Sequence, residues 1–257
     1  MPVQLICEPG VSENSLYIIA NKWKIKHTPH ALMALVLTSK YLQLRKINEP
    51  KLGSVHVDFL SPKLRFRRKI ASYKNEAIAK AVGIRKDYFP TIVDATAGFG
   101  TDAFILASLG CKVFMFERNP VIAALLENGL QRAYLDSEIG YLLKDRMILL
   151  NVLSDSILSD LSFMPDVIYL DPMYPYRKKK CFNKKNMRLL QCLLGASNED
   201  VTDLVISAMK IAKYRVIVKR PNYATSLIIK EGIIKESPKG TIKTRKHRFD
   251  IYSSRNN

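Results

Sequence analysis

The sequence has few cysteines, few histidines and no long apolar run, and each shortage excludes something. Its four cysteines form no CxxC pair. A chain of 257 residues can bury a full core without disulfides, so we expect reduced thiols. His27 and His30 lack nearby acidic or thiol residues at ligand spacing, which argues against a metal site. With no signal peptide and no apolar run near the ~18 residues of a spanning helix, we expect a cytoplasmic protein without a membrane partner.

Acidic residues are also scarce relative to basic ones. The chain has 41 Lys and Arg against 23 Asp and Glu, for a net charge of +18. Such an excess predicts a polyanionic partner, with nucleic acid the leading candidate and a surface charged for solubility the alternative. Basic runs at residues 61–69, 176–188 and 235–248 suit phosphate contacts, although 61–69 could instead be a solvated edge strand. The RNA-contact candidates are Arg65, Arg67, Arg68, Arg177, Lys178, Lys179, Lys180, Lys219 and Arg220.

The hydrophobic pattern divides the chain into two parts. Residues 1–72 predict a small α/β domain, with a helix over 12–22 and strands over 3–7, 32–37, 42–45 and 55–60. Residues 73–257 alternate helices and strands, which is typical of a parallel α/β sheet. The predicted helices of this part are 75–82, 101–109, 120–134 and 201–213, and the predicted strands are 92–94, 112–117, 146–151, 166–170, 215–219 and 243–252.

A glycine turn follows the first strand of the second part. Asp94 ends that strand, and Gly98 and Gly100 lie in the turn before the next helix. Glycines let a ligand approach the backbone where a helix N-terminus offers free N–H groups. The spacing also satisfies the dinucleotide fingerprint, so a nicotinamide or flavin enzyme stays an alternative. A carboxylate on the pocket floor would repel a pyrophosphate, however, and favours a cofactor that carries a sulfonium, such as S-adenosylmethionine.

Two later segments fit this cofactor. Glu117 ends the second strand, where a carboxylate can accept hydrogen bonds from ribose hydroxyls. After the third strand, Ser154 and Asp155 could face the adenine or simply cap the next helix. These positions predict the nucleoside side of the pocket.

The segment 167–175 (VIYLDPMYP) carries the candidate catalytic residues. An apolar strand delivers Asp171 to the carboxyl edge of the sheet, where open α/β folds bind ligands. The motif resembles the D-P-P-Y type of methyltransferases that act on exocyclic amino nitrogens. Asp171 and the Pro172 carbonyl would accept the amine's N–H bonds, while Tyr174 would stack on an extruded base. A plain Asp-Pro turn after a buried strand is the structural alternative.

With these motifs in place, the chain resembles the RsmJ (YhiQ) family, which methylates the N2 amino group of a guanine in bacterial 16S rRNA. The DPMYP form, with Met173, belongs to the family pattern. The matching segments are 32–38 (LMALVLT), 49–53 (EPKLG), 57–59 (VDF), 76–84 (EAIAKAVGI), 93–100 (VDATAGFG), 117–120 (ERNP), 169–175 (YLDPMYP), 218–221 (VKRP) and 246–252 (KHRFDIY).

The resemblance implies cofactor contacts beyond those read from the motifs. It adds Thr101, Asp102, Arg118, Leu153 and Ser154 to Glu117 and Asp171. Thr101 departs from the family pattern, which has Arg there, and Leu153 can contribute only backbone or apolar surface.

The fold implied is a Rossmann-like class I methyltransferase sheet with a small N-terminal α/β domain. The function implied is S-adenosylmethionine-dependent methylation of 16S rRNA, free or in the small ribosomal subunit. Two alternatives remain, a DNA amino-methyltransferase and a non-catalytic RNA-binding ribosome assembly factor.

Overall fold

The fold rests on two sheets, one in each half of the chain. The computed structural model describes residues 2–150, 158, 161–172, 189, 192–193, 201–231 and 234–255. The second half forms a seven-stranded sheet, and one of its strands, β13 (His247–Ser253), is antiparallel to both of its neighbours. The order across this sheet is β12 (Gly240–Lys243), β13, β9 (Arg215–Pro221), β8 (Val167–Leu170), β5 (Ile92–Asp94), β6 (Val113–Met115) and β7 (Met147–Leu149). This mixed sheet, flanked by helices, confirms the predicted Rossmann-like methyltransferase fold.

The N-terminal sheet has the order β1-β2-β3-β4. Its elements are β1 (Gln4–Cys7), α1 (Glu13–Lys22), β2 (Met33–Leu37), β3 (Leu42–Lys46) and β4 (Ser54–Val55), followed by α2 (Pro62–Ile70). The predicted strand over 55–60 is wrong, because β4 pairs only through Ser54 and Val55. The alternative of an edge strand at 61–69 is also wrong, since Pro62 begins a helix there.

Most predicted elements of the second half are found within a few residues of their predicted bounds. The helices are α3 (Ala77–Val82), α4 (Thr101–Ser108), α5 (Pro120–Tyr134), α6 (Gly140–Arg146) and α7 (Val201–Ile211). The strands are β5 (Ile92–Asp94), β6 (Val113–Met115), β7 (Met147–Leu149), β8 (Val167–Leu170), β9 (Arg215–Pro221), β12 (Gly240–Lys243) and β13 (His247–Ser253), and β10 (Ile229–Glu231) pairs with β11 (Ile234–Glu236) in a separate ribbon.

The position of β5 determines where a ligand can bind. It lies between β6 and β8, both parallel to it: β6 is the next strand along the chain on one side, and the chain returns from β7 at the edge of the sheet to form β8 on the other, so the strand order reverses at β5. Ligands of open α/β sheets bind at such a switch point, outside the carboxyl ends of the strands. Asp94 ends β5 there, and its register partner on β8 is Tyr169.

One hydrophobic core joins the two halves. Trp23 is 1% exposed, and its Nε1 donates to Glu127 on α5 at 2.7 Å. Phe59 is fully buried, with its ring centroid 5.5 Å from that of Phe104 on α4. The division into domains 1–72 and 73–257 therefore stays a prediction, because both parts contribute to the same core. Among the described residues, no helix is long and apolar enough to cross a membrane.

Candidate active site

The glycine turn after β5 makes an open cradle. Gly98 and Gly100 both have positive φ, at 53° and 68°, a backbone conformation that favours glycine. A Cβ on Gly100 would meet Leu126 Cδ1 at 2.8 Å, so this glycine packs against the core. A Cβ on Gly98 would meet only the carbonyl oxygen of Thr96, at 3.9 Å. The backbone of Gly98 is therefore accessible to a ligand, as the predicted cofactor contact requires.

Glu117 closes one side of this cradle. Its Oε2 accepts the Gly98 N–H at 2.9 Å, and its Oε1 accepts the Asn119 N–H at 2.8 Å. Burial raises the pKa of Glu117, and these hydrogen bonds act in the opposite direction. Asn119 in turn caps α5 by accepting from the N–H of Val121 and of Ile122. The carboxylate is thus held at the carboxyl end of β6, beside the glycine turn.

Three aspartates gather at the switch point. Asp94 is 2% exposed, and burial, together with the nearby charges of Asp102 and Asp171, raises its pKa well above the ordinary value. Its Oδ1 accepts the Thr96 N–H at 3.1 Å. The Thr96 hydroxyl accepts the Asp171 N–H at 2.6 Å, which ties the glycine turn to the candidate catalytic segment. The site is consequently rich in negative charge.

Lys219 on β9 bridges two of these carboxylates. Its Nζ lies 2.8 Å from Asp171 Oδ2 and 2.7 Å from Asp102 Oδ2, and the same Asp102 oxygen accepts from the Tyr169 hydroxyl at 2.8 Å. Burial acts to lower the pKa of Lys219, but the two carboxylates outweigh it and the pKa is raised. Burial raises the pKa of Asp171, against the effect of Lys219.

Arg67 on α2 extends this network towards the N-terminal half. Its Nη1 lies 3.7 Å from Asp102 Oδ1, and it also pairs with Glu76 at 2.9 Å. Burial acts to raise the pKa of Asp102, but Lys219, Tyr169 and Arg67 outweigh it and the pKa is lowered. The side chains of Arg67 and Lys219 thus both form ion pairs with carboxylates of the protein itself.

The structure brings together many of the predicted site residues. Asp94, Gly98, Asp102, Glu117 and Asp171 surround the switch point. Pro172 follows Asp171 and is partly buried, Thr101 is exposed at the start of α4, and Arg118 is exposed beside Glu117. Leu153, Ser154, Tyr174, Arg177, Lys178, Lys179 and Lys180 lie outside the described residues.

The candidate RNA contacts on the described residues stay predictions, and several of these side chains already have partners within the protein. Arg65 pairs with Asp136 at 3.1 Å, and Arg68 pairs with Glu138. Arg220 is 6% exposed, so its side chain does not lie on the surface. Lys219 is partly buried and paired with Asp102 and Asp171, so its charge is already matched by carboxylates, which the run of positive charge in the sequence does not reveal.

The sequence argument missed three contributors to the site. Thr96 supports Asp171, Tyr169 supports Asp102, and Asn119 supports Glu117. Tyr169 lies on β8, two residues before Asp171, which directly follows the end of that strand, so alternation predicts both side chains on the same face. That spacing could have identified Tyr169 as a member of the site. No local pattern could have identified Thr96, because it contacts Asp171 across 75 residues of sequence.

These residues fit S-adenosylmethionine. Asp94, Asp102 and Asp171 face the ammonium of Lys219, with the Arg67 guanidinium beside Asp102, so the carboxylates outnumber the cations and suit a bound sulfonium. Gly98 leaves room along the backbone, and Glu117 can accept further hydrogen bonds because each carboxylate oxygen has two lone pairs. Among the described residues, no cluster of three or more His, Cys, Asp or Glu side chains could hold a metal ion.

Comparisons with known proteins agree with this geometry. The SAM_MT family model, of SAM-dependent methyltransferases, matches residues 18–254. A protein of Photorhabdus laumondii named ribosomal RNA small subunit methyltransferase J is 52% identical over 98% of this chain and 99% of its own length. A Proteus mirabilis protein of the same name is 50% identical over 98% and 99%.

A solved structure shares the fold over the whole chain. The crystal structure of a SAM-dependent methyltransferase from Neisseria gonorrhoeae has a TM-score of 0.72 and 29% identity, over 99% of this chain and 97% of that one. The chain belongs to the ribosomal RNA small subunit methyltransferase J family and is an S-adenosylmethionine-dependent methyltransferase.

Proposed function

We propose that this chain methylates the N2 amino group of a guanine in 16S rRNA, with free rRNA or the small ribosomal subunit as substrate. The relatives' name supports the small-subunit RNA. The observation that carries the amino target is the place of Asp171 and Pro172, at the carboxyl end of β8 and next to the glycine turn. Acceptors at this place suit a nitrogen that bears hydrogens.

The chemistry follows from these acceptors. The lone pair of an exocyclic amine is conjugated with the ring, so the nitrogen is a weak nucleophile. Accepting its N–H bonds with the Asp171 carboxylate and the Pro172 carbonyl favours pyramidal geometry and directs the lone pair outward. Bound S-adenosylmethionine supplies an electrophilic methyl group. Tyr174, in the same motif, is proposed to stack on the extruded base.

The outward face of α2 is the proposed RNA contact beside this site. Phe66 is 64% exposed, Lys63 and Lys69 are exposed, and Ile70 is 53% exposed. We call these four residues the α2 outer face. No ion pair of Lys63 or Lys69 is found within the described part of the chain, in contrast to Arg65, Arg67 and Arg68. An aromatic ring flanked by cations suits single-stranded RNA.

The proposed function is tested by comparing the methylation of 16S rRNA from cells with and without the gene. Mass mapping should show one guanine that loses a methyl group when the gene is deleted, and that regains it when the wild-type chain is restored. The Asp171→Asn chain should not restore it, although the purified variant should still bind S-adenosylmethionine. A methylated adenine or cytosine, or an unchanged guanine, would contradict the proposal. Methylation of DNA in preference to RNA would support the DNA alternative instead.

A further inference from the structure

We propose that Lys219 is a positioning residue that holds Asp171 Oδ2 and leaves Oδ1 to accept the N–H of the target amine. This role rests on the proposed function and deepens it. It replaces the phosphate contact that the basic sequence around Lys219 predicted.

The register of the sheet places Lys219 beside the catalytic segment. Val218 of β9 pairs with Leu170, the last residue of β8, so the residues that follow them, Lys219 and Asp171, emerge side by side at the carboxyl edge. On the other side of β9, Lys219 pairs with Phe249 of β13. An interior strand therefore presents this lysine into the site, with its side chain 21% exposed.

Lys219 donates a hydrogen bond to only one of the two carboxylate oxygens of Asp171, which is Oδ2. Nζ lies 2.8 Å from Asp171 Oδ2, and its second partner is Asp102 at 2.7 Å. Within the described residues, no group donates to Asp171 Oδ1. Lys219 holds one carboxylate oxygen of Asp171, and because the side chain is 39% exposed, the carboxylate remains accessible to a substrate.

Asp102 fixes the lysine in turn. It accepts from Lys219 and from Tyr169 through one oxygen, and its other oxygen faces Arg67. A lysine held between two fixed carboxylates has little freedom to reach an RNA phosphate. Without Lys219, the carboxylates of Asp102 and Asp171 would be neighbours with no cation between them, and their mutual repulsion would make it harder for both to be ionised at once.

Charged and titratable groups from each surrounding element act on Asp171. Burial and the charge of Asp102 raise the pKa of Asp171, whereas the ammonium of Lys219 acts to lower it. Four groups act on Asp171 directly: Asp94 on β5, Asp102 on α4, Tyr169 on β8 and Lys219 on β9. Two more, Arg67 on α2 and His247 on β13, act on Lys219 or Asp102.

The test measures the Asp171 carboxylate itself in the full chain without cofactor or RNA. Carbon-13 carboxyl NMR titrations would compare wild type, Lys219→Met and Lys219→Arg, with Asp171→Asn used to assign the signal. We expect Lys219→Met to raise the pKa of Asp171 by about 1 unit or more, and Lys219→Arg to restore most of the shift. Lys213→Met, at an exposed lysine just before β9, is the matched control and should leave that pKa unchanged.

Kinetics with small-subunit RNA give the second readout. Lys219→Met should lower kcat by about 10-fold or more and move the acid limb of kcat/KM to higher pH, with KM for RNA within about 2-fold of wild type. A raised KM with unchanged kcat would instead support a phosphate contact and overturn the inference. Lower stability with no change in the pKa of Asp171 would also overturn it, because that pattern indicates a merely structural ion pair.

If Lys219→Met does not fold, a double variant can replace it in the titration. Lys219→Met combined with Asp102→Asn removes both members of one ion pair, and the pKa of Asp171 should still rise, because Lys219 influences it more than Asp102 does. An unchanged or lowered pKa would contradict the inference. If wild type fails to methylate small-subunit RNA, the proposed function fails, while the NMR titration still decides the role of Lys219.

Discussion

The main-chain N–H of Gly98 donates to Glu117 Oε2 at 2.9 Å, which joins the glycine turn after β5 to the acid that follows β6. Asn119 donates to the other carboxylate oxygen at 2.8 Å, so backbone amides hold the group from two sides. Each oxygen keeps a second lone pair for a ribose hydroxyl. One carboxylate thus holds the turn, and we expect it to present acceptors to the cofactor as well.

Replacing Glu117 with alanine should weaken cofactor binding. The variant removes acceptors for both ribose hydroxyls and releases the Gly98 N–H, and we expect affinity for S-adenosylmethionine to fall by about 1 to 3 kcal/mol. Calorimetric titration measures this directly. Glu138→Ala removes a surface carboxylate that is 58% exposed, and it should bind the cofactor as wild type does. Equal affinity of the two variants would exclude Glu117 from the site.

The two turn glycines should respond differently to alanine. Both substitutions force an L residue into positive φ, at a cost of about 1 to 2 kcal/mol in the free energy of unfolding. Gly100→Ala should lose about 1 to 3 kcal/mol more, since its Cβ would meet Leu126 Cδ1 at 2.8 Å and Phe59 Cζ at 3.1 Å. Gly98→Ala has no such clash and should mainly reduce cofactor affinity. Urea unfolding and calorimetry separate the effects, and equal loss of stability would contradict this distinction.

Asp94 should make cofactor binding depend on pH. Burial raises its pKa well above the ordinary value, so just below that raised pKa the free protein holds a proton there. A bound sulfonium favours the ionised form, hence affinity should increase as pH rises through this range, with proton release on binding. Calorimetry in two buffers of different ionisation enthalpy measures the release. S-adenosylhomocysteine lacks the positive sulfur and should release less, whereas equal release by both ligands would count against this role of Asp94.

Local signals in the sequence predicted the elements around the cofactor well. The bounds of β5 and α5 match their predictions, because a short β-branched run precedes the glycine turn and Asn119 with Pro120 begins a helix. The strand predicted over 55–60 failed for a tertiary reason. Val57 and Phe59 are 4% and 0% exposed, but they pack against α5 and α4 of the other half instead of extending β4.

The candidate site shows the same division between local and tertiary information. Asp94, Glu117 and Asp171 each follow a predictable strand, so their convergence could be predicted from the order of the strands. The role of Lys219 could not, because it depends on the register between β9 and β8 and on the bridge to Asp102. A run of positive charge looks the same in sequence whether its members face water or carboxylates.

The contact between Gly129 and Val57 should link the two halves energetically. In an isolated helix, alanine is more stable than glycine by up to about 1 kcal/mol. At Gly129, however, a Cβ would meet Val57 Cγ1 at 2.5 Å, so Gly129→Ala should destabilise the protein by about 1 to 3 kcal/mol. Adding Val57→Ala should cost less in the Gly129→Ala background than in wild type. Additive effects in chemical unfolding would indicate that the halves do not press on each other here.

The α2 outer face should contribute to RNA binding without contributing to cofactor binding. Phe66→Ala removes an exposed ring that can stack on a base, and we expect affinity for small-subunit RNA to fall by about 1 to 3 kcal/mol. Tyr141→Ala, at a side chain 77% exposed on α6, is the matched control and should bind RNA as wild type does. Affinity for S-adenosylmethionine should be unchanged in both variants.

The lysines of the same face provide an independent measure. Lys63→Ala combined with Lys69→Ala should reduce the slope of log affinity against log salt by about 1 to 2, because two phosphate contacts with single-stranded RNA are lost. Arg65→Ala should change this slope less, since Arg65 is already paired with Asp136 at 3.1 Å. A larger slope change for Arg65→Ala than for the two lysines would show that RNA displaces the ion pair, and would return the contact to the arginines predicted from sequence.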